Sequence, residues 1–423
     1  MRVDEAAVLE TPRGCGPDSI ADSKTVRPLR QQIFEHVRAL GAISRAQIAK
    51  ELGVSPASVT TLTSELIDVG LLHEISIPRS VDDAGRGRPP VALGVRPEAH
   101  LVAGVKLSDQ VHTAVIADFA GNEIASATLP ATRIGSPSDV LAGTAQLIDA
   151  AARRAGQDLH QLSGVGIGLP GLVDHDTGRV YWSPILNARN VAFADEAARA
   201  LGVPVRIDND ANLVTLSELW FGAGRHLSDF AVVTIEQGVG MGFVSNRALY
   251  RGAQGLGLEI GHTKVQLDGA LCRCGQRGCL EAYVADYALA REAAQALGQS
   301  GSQPMPMPTL LETLRSEAQA GNAAARSIFR RAGRYLAVGI ANVVNLFDPE
   351  LVILSGGQVR HDLLEVGDLL AEMESLSLSA GQRTPRVEVH ARGDLLWAHG
   401  AAALALSDLT DRVLGHARET APA

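Results

Sequence analysis

The chain has 423 residues, of which 46% are hydrophobic. This length and apolar content support two or three domains with cores of their own, and they exclude a single small module. No run of about 18 apolar residues occurs, which argues against a membrane-spanning helix. The N-terminal residues have no basic start followed by an apolar stretch, which argues against a signal peptide. We therefore expect a soluble, cytoplasmic protein with no membrane partner.

Charge is unevenly distributed along the chain. The net charge is −9, but residues 24–96 contain ten Lys or Arg against seven Asp or Glu. A basic head on an acidic body is typical of a nucleic-acid-binding module joined to another domain. On charge alone, a basic surface without function is the alternative.

The first predicted helix marks the start of a domain. Residues 1–25 lack hydrophobic periodicity, and we expect them to form a disordered leader. A helical pattern begins at Leu29 and ends at Gly41. We assign residues 26–95 to a DNA-binding domain on the features that follow.

Two more helices follow, each with a recognisable start. Ser44 and Gln47 form a capping box, in which each side chain satisfies a backbone N–H of the other residue. Ser55 is placed to cap the next helix, with Pro56 at its first position, where the missing N–H has no cost. The residues of this third helix expected to face the core are Val59, Leu62 and Leu66.

The second and third helices predict a helix-turn-helix, with the third helix entering the major groove of DNA. The segment after it reads as strand, flexible tip and strand, which predicts a winged helix whose two tip arginines suit a narrow minor groove. The alternatives are an ordinary helical hairpin and, for the tip, a solvated linker. The expected DNA contacts are Arg45, Ser55, Ser58, Thr60, Thr61, Arg86 and Arg88.

The remaining residues, 96–423, alternate between apolar β runs and helices rich in Ala and Leu. Such alternation over a long segment predicts an α/β body of two lobes. The clearest β runs are residues 101–107, 113–118, 164–169, 231–235 and 351–355.

Three of the four cysteines lie within eight residues and follow a histidine. Three thiolates and one imidazole complete a tetrahedral zinc shell with no open position, which predicts a structural zinc. Gly275 and Gly278 would let the chain turn back to the ion. A redox role and chance clustering are the alternatives. The predicted ligands are His262, Cys272, Cys274 and Cys279.

Two carboxylates flank this cluster in the sequence. Glu259 precedes His262 by three residues, and Glu281 follows Cys279 by two. A bound zinc would fix both carboxylates in positions suited to a ligand rich in hydroxyl groups. Each glutamate alone is more often a surface charge.

A further polar group ends a β run at residues 205–209. Asn209 could bond hydroxyl groups there, and Asp210 could act as a general base toward one of them. Helix capping by either residue is the alternative.

In their order and spacing, these motifs resemble the ROK family (repressors, open reading frames and kinases). The resemblance implies the actin-like ATPase fold of sugar kinases. It also implies that Asn209, Asp210, Glu259, His262 and Glu281 contact a sugar, that Asp210 is the base in kinase members, and that His262 binds zinc through one ring nitrogen and faces the sugar with the other. The resemblance covers about residues 27–412 and rests on the winged helix, Gly168–Gly171, Asp208–Asn212, Gly238–Gly242, Glu259–His262, Cys272–Glu281 and Ser355–Gly357.

The chain departs from the kinase members where they bind phosphate. Their first hairpin reads Asp-x-Gly-Gly-Thr, whereas residues 106–110 here read Lys-Leu-Ser-Asp-Gln. Gln237 also stands where the family usually has Thr. Because phosphoryl transfer depends on positioning and charge neutralisation, we expect the phosphate cradle to be lost and the protein not to be an enzyme.

The resemblance is greatest to the sugar-responsive repressors of the family, of the xylose and N-acetylglucosamine type. This implies operator DNA and a sugar or sugar derivative as partners. We expect a homodimer or higher homo-oligomer, because two winged helices would read a palindromic site. The alternatives are a sugar kinase with a DNA-binding appendage and a zinc-stabilised interaction protein.

Overall fold

The computed structural model falls into two compact units. The first comprises residues 1–227, 246–248 and 395–423, and the second comprises 228–245 and 249–394. No helix among the residues described has both the length and the apolar character needed to cross a membrane. The described residues are 14–17, 27–76, 91–131, 134–297, 305–356, 366–378, 385–390, 393 and 395–415.

The first unit begins with a head of three helices and a small sheet. Its elements are α1 (Leu29–Leu40), β1 (Ile43–Ser44), α2 (Arg45–Glu51), α3 (Pro56–Asp68), β2 (Leu72–Ser76) and β3 (Val91–Val95). The strands pair antiparallel in the order β1-β3-β2. The three helices followed by two antiparallel strands are consistent with the predicted helix-turn-helix. The wing tip, residues 77–90, lies outside the described residues, and so do Arg86 and Arg88.

The predicted helix starts of the head are confirmed. The Ser44 Oγ accepts the Gln47 N–H at 3.3 Å, and the Gln47 Oε1 accepts the Ser44 N–H at 3.3 Å. The Ser55 Oγ accepts the Ser58 N–H at 3.1 Å. Each bond lies within one helical turn, which is why the sequence alone reveals it.

The buried face of α3 differs from the prediction at one position. Leu62 is only half-buried, whereas Thr63 is fully buried. Thr63 follows Val59 by four residues and therefore shares its helix face. Its hydroxyl donates to the Val59 carbonyl oxygen at 2.7 Å, so burial leaves this polar group satisfied.

Part of the predicted disordered leader is packed instead. Within Gly14–Pro17, Cys15 is 2% exposed and its N–H donates to the Arg38 carbonyl oxygen at 3.0 Å. A four-residue segment held by distant groups has no periodicity of its own, so no local pattern could predict it. The other leader residues lie outside the described residues.

The body of the first unit is built on a five-stranded sheet. Its strand order is β10-β7-β4-β5-β6, with β4, β5 and β6 antiparallel and β4, β7 and β10 parallel. Two short strands, β8 and β9, form a separate hairpin. The elements are β4 (Leu101–Lys106), β5 (Val111–Asp118), β6 (Glu123–Pro130), α4 (Pro137–Arg154), β7 (Gly164–Leu169), β8 (Leu172–Asp174), β9 (Arg179–Trp182), α5 (Phe193–Leu201), β10 (Val205–Asn209) and α6 (Asp210–Phe221).

The second unit repeats this strand arrangement. Its sheet has the order β13-β12-β11-β14-β15, with β11 antiparallel to β12 and parallel to β14. Its elements are β11 (Phe230–Ile235), β12 (Val239–Ser245), β13 (Ala248–Tyr250), α7 (Glu281–Val284), α8 (Asp286–Ala296), α9 (Met307–Gln319), α10 (Ala323–Phe347), β14 (Leu351–Ser355), α11 (Val366–Leu376) and β15 (Arg386–His390).

The chain then returns to the first unit with α12 (Leu395–Leu414). This helix is buried along most of its length, including Trp397 at 1% exposure. It packs on β4, β7 and α6 and so closes the core of the first unit. Two α/β lobes are what the sequence predicted, and the structure adds that their five-stranded sheets share one strand order.

Candidate metal, ligand and DNA-binding sites

The four predicted metal ligands meet in the second unit. Their ligand atoms all lie within 4.8 Å of one another. The Cys274 and Cys279 Sγ atoms are 3.7 Å apart, and the Cys272 Sγ is 3.7 Å from the His262 Nδ1. Tetrahedral zinc with bonds of about 2.3 Å to sulfur places its ligands roughly 3.7 Å apart. The donor set and its spacing therefore fit a tetrahedral metal ion.

The loop that carries the cysteines is shaped by its backbone. The Cys272 N–H donates to the Gln276 carbonyl oxygen at 2.8 Å, and the Gly275 N–H donates to the Cys272 carbonyl oxygen at 3.0 Å. Gly275 and Gly278 have φ angles of 87° and 75°. These left-handed conformations favour glycine, as predicted, and they turn the chain back toward its first thiol.

Two side chains beside the thiols were not identified from the sequence. The Lys264 ammonium donates to the Cys279 Sγ at 2.9 Å, and the Tyr287 hydroxyl donates to the Cys272 Sγ at 3.6 Å. Three thiolates would outweigh a bound divalent ion by one charge, which the Lys264 ammonium is placed to offset. Its position two residues after His262 was the available signal, whereas nothing in the local sequence marks Tyr287.

Glu281 connects the thiol cluster to a glycine-rich turn. It is 9% exposed, and its Oε1 lies 3.5 Å from the Cys272 Sγ. Its Oε2 accepts the Val239 N–H at 3.3 Å, at the turn between β11 and β12. Glu281, predicted as a sugar contact, thus also bonds the first residue of β12 within the second unit. Glu259, the other flanking carboxylate, is exposed just before the short helix that ends at His262.

The other two predicted sugar contacts lie in the first unit, at the N-terminus of α6. The Asn209 Oδ1 accepts the Ala211 N–H at 2.9 Å, so Asn209 caps this helix. Its Nδ2 donates to the Gly171 carbonyl oxygen at 2.8 Å. Asp210, the first helical residue, is half-buried. The Asp210 Oδ1 accepts the same Ala211 N–H at 2.9 Å. These bonds leave lone pairs on both side chains, so capping and hydroxyl binding are compatible here.

A buried carboxylate holds this polar turn in place. Asp208 is 1% exposed, and its Oδ1 accepts the Asn209 N–H and the Asn212 Nδ2, each at 2.8 Å. The imidazole of His175 lies 3.8 Å from its other oxygen. These bonds fix the orientation of the turn that presents Asp210.

Backbone amides of the first hairpin are hydrogen-bonded within the protein. The Leu107 N–H donates to a carbonyl of β7 at 2.8 Å, and the Ser108 N–H donates to the His112 Nδ1 at 3.1 Å. The Gln110 and Val111 N–H groups both donate to the Ser108 Oγ, at 3.3 and 3.1 Å. Burial lowers the pKa of His112, which keeps its imidazole neutral and able to accept. Four of the amides at this turn are thus bonded within the protein.

Two carboxyl groups lie beside the turn between β11 and β12, those of Glu236 and Asp286. The Asp286 N–H donates to the Glu236 carbonyl oxygen at 3.0 Å. Burial, followed by the carboxylate of Glu236, raises the pKa of Asp286 to about 6, and Arg315 opposes this shift. Two carboxyl groups beside one turn disfavour a phosphate there.

On α3, the predicted recognition helix, Thr60 and Thr61 are exposed and Ser58 is half-buried. Arg45 is already engaged within the head, because its Nε donates to the Thr63 Oγ1 at 3.0 Å and its Nη1 pairs with Glu74 at 2.8 Å. Two of its donors are therefore committed to the fold of the head.

A protein-family model described as the ROK family matches residues 103–408. The chain belongs to the ROK family. It is 29% identical to the xylose repressor of Caldicellulosiruptor bescii over 374 residues, which cover 87% of this chain and 92% of that repressor. It is 29% identical over 328 residues to the DNA-binding transcriptional dual regulator NagC of Escherichia coli K12, covering 77% of this chain and 79% of NagC.

Solved ROK structures include regulators and kinases. A ROK family transcriptional regulator described as a homolog of the E. coli Mlc protein has a TM-score of 0.75 and 28% identity, covering 91% of this chain and 97% of its own. A ROK hexokinase from Thermus thermophilus has a TM-score of 0.63 and 28% identity, covering 74% of this chain and 99% of its own. The predicted fold is therefore confirmed, and the regulator matches more of this ROK chain than the hexokinase does.

Proposed function

We propose that the protein is a DNA-binding transcriptional repressor whose DNA affinity is controlled by a sugar or sugar derivative. Residues 26–95 would bind operator DNA, and residues 96–423 would bind the effector. The bonded amides of the first hairpin favour a repressor over a kinase, because they are not available to bind phosphate. A domain of this fold would still bind the sugar. The similarity to the xylose repressor and NagC supports the same choice.

The DNA side of the proposal rests on the head. The exposed hydroxyls of α3 suit close approach to phosphates and base edges. Arg86 and Arg88 are proposed to add a minor-groove contact from the wing. We further propose a homodimer, since two heads on one face of the duplex would read a palindromic operator.

The ligand side rests on the residues that the family resemblance implies. We propose that Asn209 and Asp210 at the start of α6 bond sugar hydroxyls, and that Glu259, Glu281 and the second ring nitrogen of His262 have the same role. The four predicted metal ligands would hold a structural zinc through His262 Nδ1 and the three thiolates. A bound zinc would fix the loop that carries these groups. Glu281 then orients the glycine-rich turn through its bond to the Val239 N–H.

Control of DNA binding requires that the sugar bind two arrangements of the protein unequally. Such a sugar shifts the population toward the arrangement that it binds more tightly. The sugar then changes the DNA affinity by the same factor by which DNA changes the sugar affinity. No chemical step is needed. Asp210 thus serves here as a hydrogen-bond acceptor for a sugar hydroxyl.

The test begins by selecting genomic fragments that bind the full-length protein. The selected fragment is then titrated by fluorescence anisotropy with and without D-xylose, N-acetylglucosamine or D-glucose. We expect binding at least about a thousandfold tighter than to unrelated DNA, and at least one of these sugars should change the affinity about fivefold or more. Failure to enrich any fragment would overturn the repressor proposal.

A matched pair of variants locates the sugar site. Asp210→Asn should keep DNA binding and lose the sugar response, because the acceptor for a sugar hydroxyl is weakened. Asp195→Asn, an equal change at an exposed position of α5, should keep both. Equal sugar responses in the two variants would contradict the assignment of Asp210.

A sugar kinase with a DNA-binding head is the second candidate, favoured by the likeness to the T. thermophilus hexokinase. It predicts release of ADP from ATP in the presence of one of the same sugars. Turnover at about 1 per second or faster, the ordinary range of kinases, would establish it, and its loss in Asp210→Asn would place the base.

A further inference from the structure

Residues 14–17, which we call the N-terminal strap, join the head to the body of the first unit. The Cys15 N–H donates to the Arg38 carbonyl oxygen of α1 at 3.0 Å, and the Gly16 N–H donates to the Trp220 carbonyl oxygen of α6 at 2.9 Å. One short segment is therefore hydrogen-bonded to the head on one side and to the body on the other.

Arg225 secures the strap from the body. It lies in the short 3-10 helix Ala223–His226 that follows α6, and it is 8% exposed. Its Nε donates to the Gly16 carbonyl oxygen at 3.1 Å, and its Nη2 donates to the Ala39 carbonyl oxygen of α1 at 2.6 Å. Because a guanidinium presents its donors in a rigid fork, Arg225 holds the strap and the end of α1 in one fixed relation.

Arg38 crosses the same junction from the head. Its Nη1 donates to the Thr410 Oγ1 of α12 at 2.8 Å, and its guanidinium carbon lies 4.6 Å from the centroid of the Trp220 ring. Arg38 is 4% exposed, and a cation over an indole ring is held most strongly when it is removed from water. The strap thus lies beside two buried arginines. Arg225 of the body bonds the head, and Arg38 of the head bonds the body.

The Cys15 side chain adds a further bond between the strap and the body. Its thiol donates to the Ala120 carbonyl oxygen at 3.0 Å in the turn after β5. Burial raises the pKa of this thiol to about 11, so that the docked thiol stays protonated and unreactive. Reaction of Cys15 with an alkylating agent therefore reports whether the strap has left its site.

The helix that accepts the strap begins at the proposed sugar site. Asp210 is its first residue, Trp220 lies one residue before its end, and every residue between them is buried. Twelve helical residues span about 18 Å and move as one rigid element. A displacement of the sugar-binding end of α6 therefore reaches the carbonyl that holds Gly16.

We propose that the N-terminal strap couples the sugar-binding end of α6 to the DNA-binding head. This rests on the proposed function, since it concerns how the effector signal reaches the head. The strap is a positioning element, because it touches neither the sugar nor the DNA. Without it, the head should still bind DNA, but its affinity should no longer respond to sugar.

Gly14→Ala in the full-length protein tests the coupling. Gly14 has φ of 106°, and an added Cβ would collide with the carbonyl oxygens of Arg38 and Ala39, so the strap cannot dock unchanged. Gly156→Ala is the matched control, because it also has positive φ, at 69°, but has open space around it. We expect the ratio of DNA dissociation constants with and without sugar to fall to about one in Gly14→Ala, from the 5- to 150-fold typical of allosteric coupling. Gly156→Ala should keep the wild-type ratio.

Alkylation of Cys15 gives a second, independent measurement on the wild-type protein. N-ethylmaleimide labelling is followed by mass spectrometry of the Cys15 peptide, with and without the sugar that alters DNA binding. The labelling rate should differ about fivefold or more between the two states. Equal rates, or a wild-type sugar response in Gly14→Ala, would overturn the strap proposal alone. A wild-type protein whose DNA binding ignores every sugar would remove the proposed function, and the strap proposal with it.

Discussion

The Lys106 ammonium lies 3.6 Å from the centroid of the Trp397 ring. Lys106 is 7% exposed, and Trp397 is 1% exposed. The cation that replaces a carboxylate of the kinase hairpin thus lies over an aromatic ring of α12, inside the first unit. The side chain at this position therefore makes a contact inside the protein, as do the backbone amides that follow it.

This contact predicts a stability effect for Lys106→Met, which keeps an unbranched side chain and removes the charge. The free energy of unfolding should fall by about 1–2 kcal/mol, because the cation is largely removed from water. Urea denaturation measures this change. Lys50→Met, at an exposed position of α2, should stay within about 0.5 kcal/mol of the wild type. Equal effects of the two substitutions would contradict the contact.

The cysteine cluster predicts one zinc ion per chain. Cys274→Ser should lower the zinc content, the melting temperature and the sugar affinity together, because a bound zinc would fix the loop that carries the proposed sugar contacts. Metal analysis and thermal unfolding check this. Cys15→Ser removes a cysteine outside the cluster and should keep the full zinc content. Full sugar binding in zinc-free protein would contradict the role assigned to the metal.

The proposed DNA-reading role of α3 predicts a charge effect confined to DNA binding. Thr61→Asp places a carboxylate on an exposed face that we expect to meet phosphates. The dissociation constant for operator DNA should rise about tenfold or more, equal to about 1.4 kcal/mol, with sugar binding unchanged. Thr309→Asp, the same change at an exposed position of α9, is the control. Equal DNA affinities of the two variants would count against α3 as the reading helix.

Asp286 predicts a pH-dependent stability. Its pKa in the folded state, about 6, exceeds the ordinary value of 3.8. A raised carboxyl pKa means that the folded state favours the protonated form, so the wild type loses stability as pH rises through this interval. Asp286→Asn should therefore be more stable than the wild type at pH 7.5, and the gain should shrink below about pH 6 and vanish near pH 4. Thermal unfolding of both proteins across this range gives the difference.

A matched variant isolates that effect. Asp268→Asn changes an exposed aspartate of the same unit. Its difference from the wild type should not follow the same pH curve. A gain for Asp286→Asn that is constant with pH would show that the cause is packing and not ionisation.

Structural features that depend on only a few consecutive residues could be predicted from the sequence. The capping bonds of Ser44 and Ser55 span one turn, and the thiols of the metal cluster lie within one loop. Features that depend on partners from elsewhere in the chain were not. Arg45 was predicted as a DNA contact, but Glu74 and Thr63 come from other elements, and their bonds to it are visible only in the folded head.

The sequence by itself determined the ROK family resemblance, the order of the two modules, the metal donor set and the loss of the kinase hairpin motif, because each is carried by short motifs and periodic burial. The tertiary structure decided where those residues act. It placed Lys106 over Trp397, made Asn209 a helix cap and docked Cys15 against α1. Each of these contacts joins groups whose distance depends on sheet register and helix packing. A local sequence pattern determines neither of these.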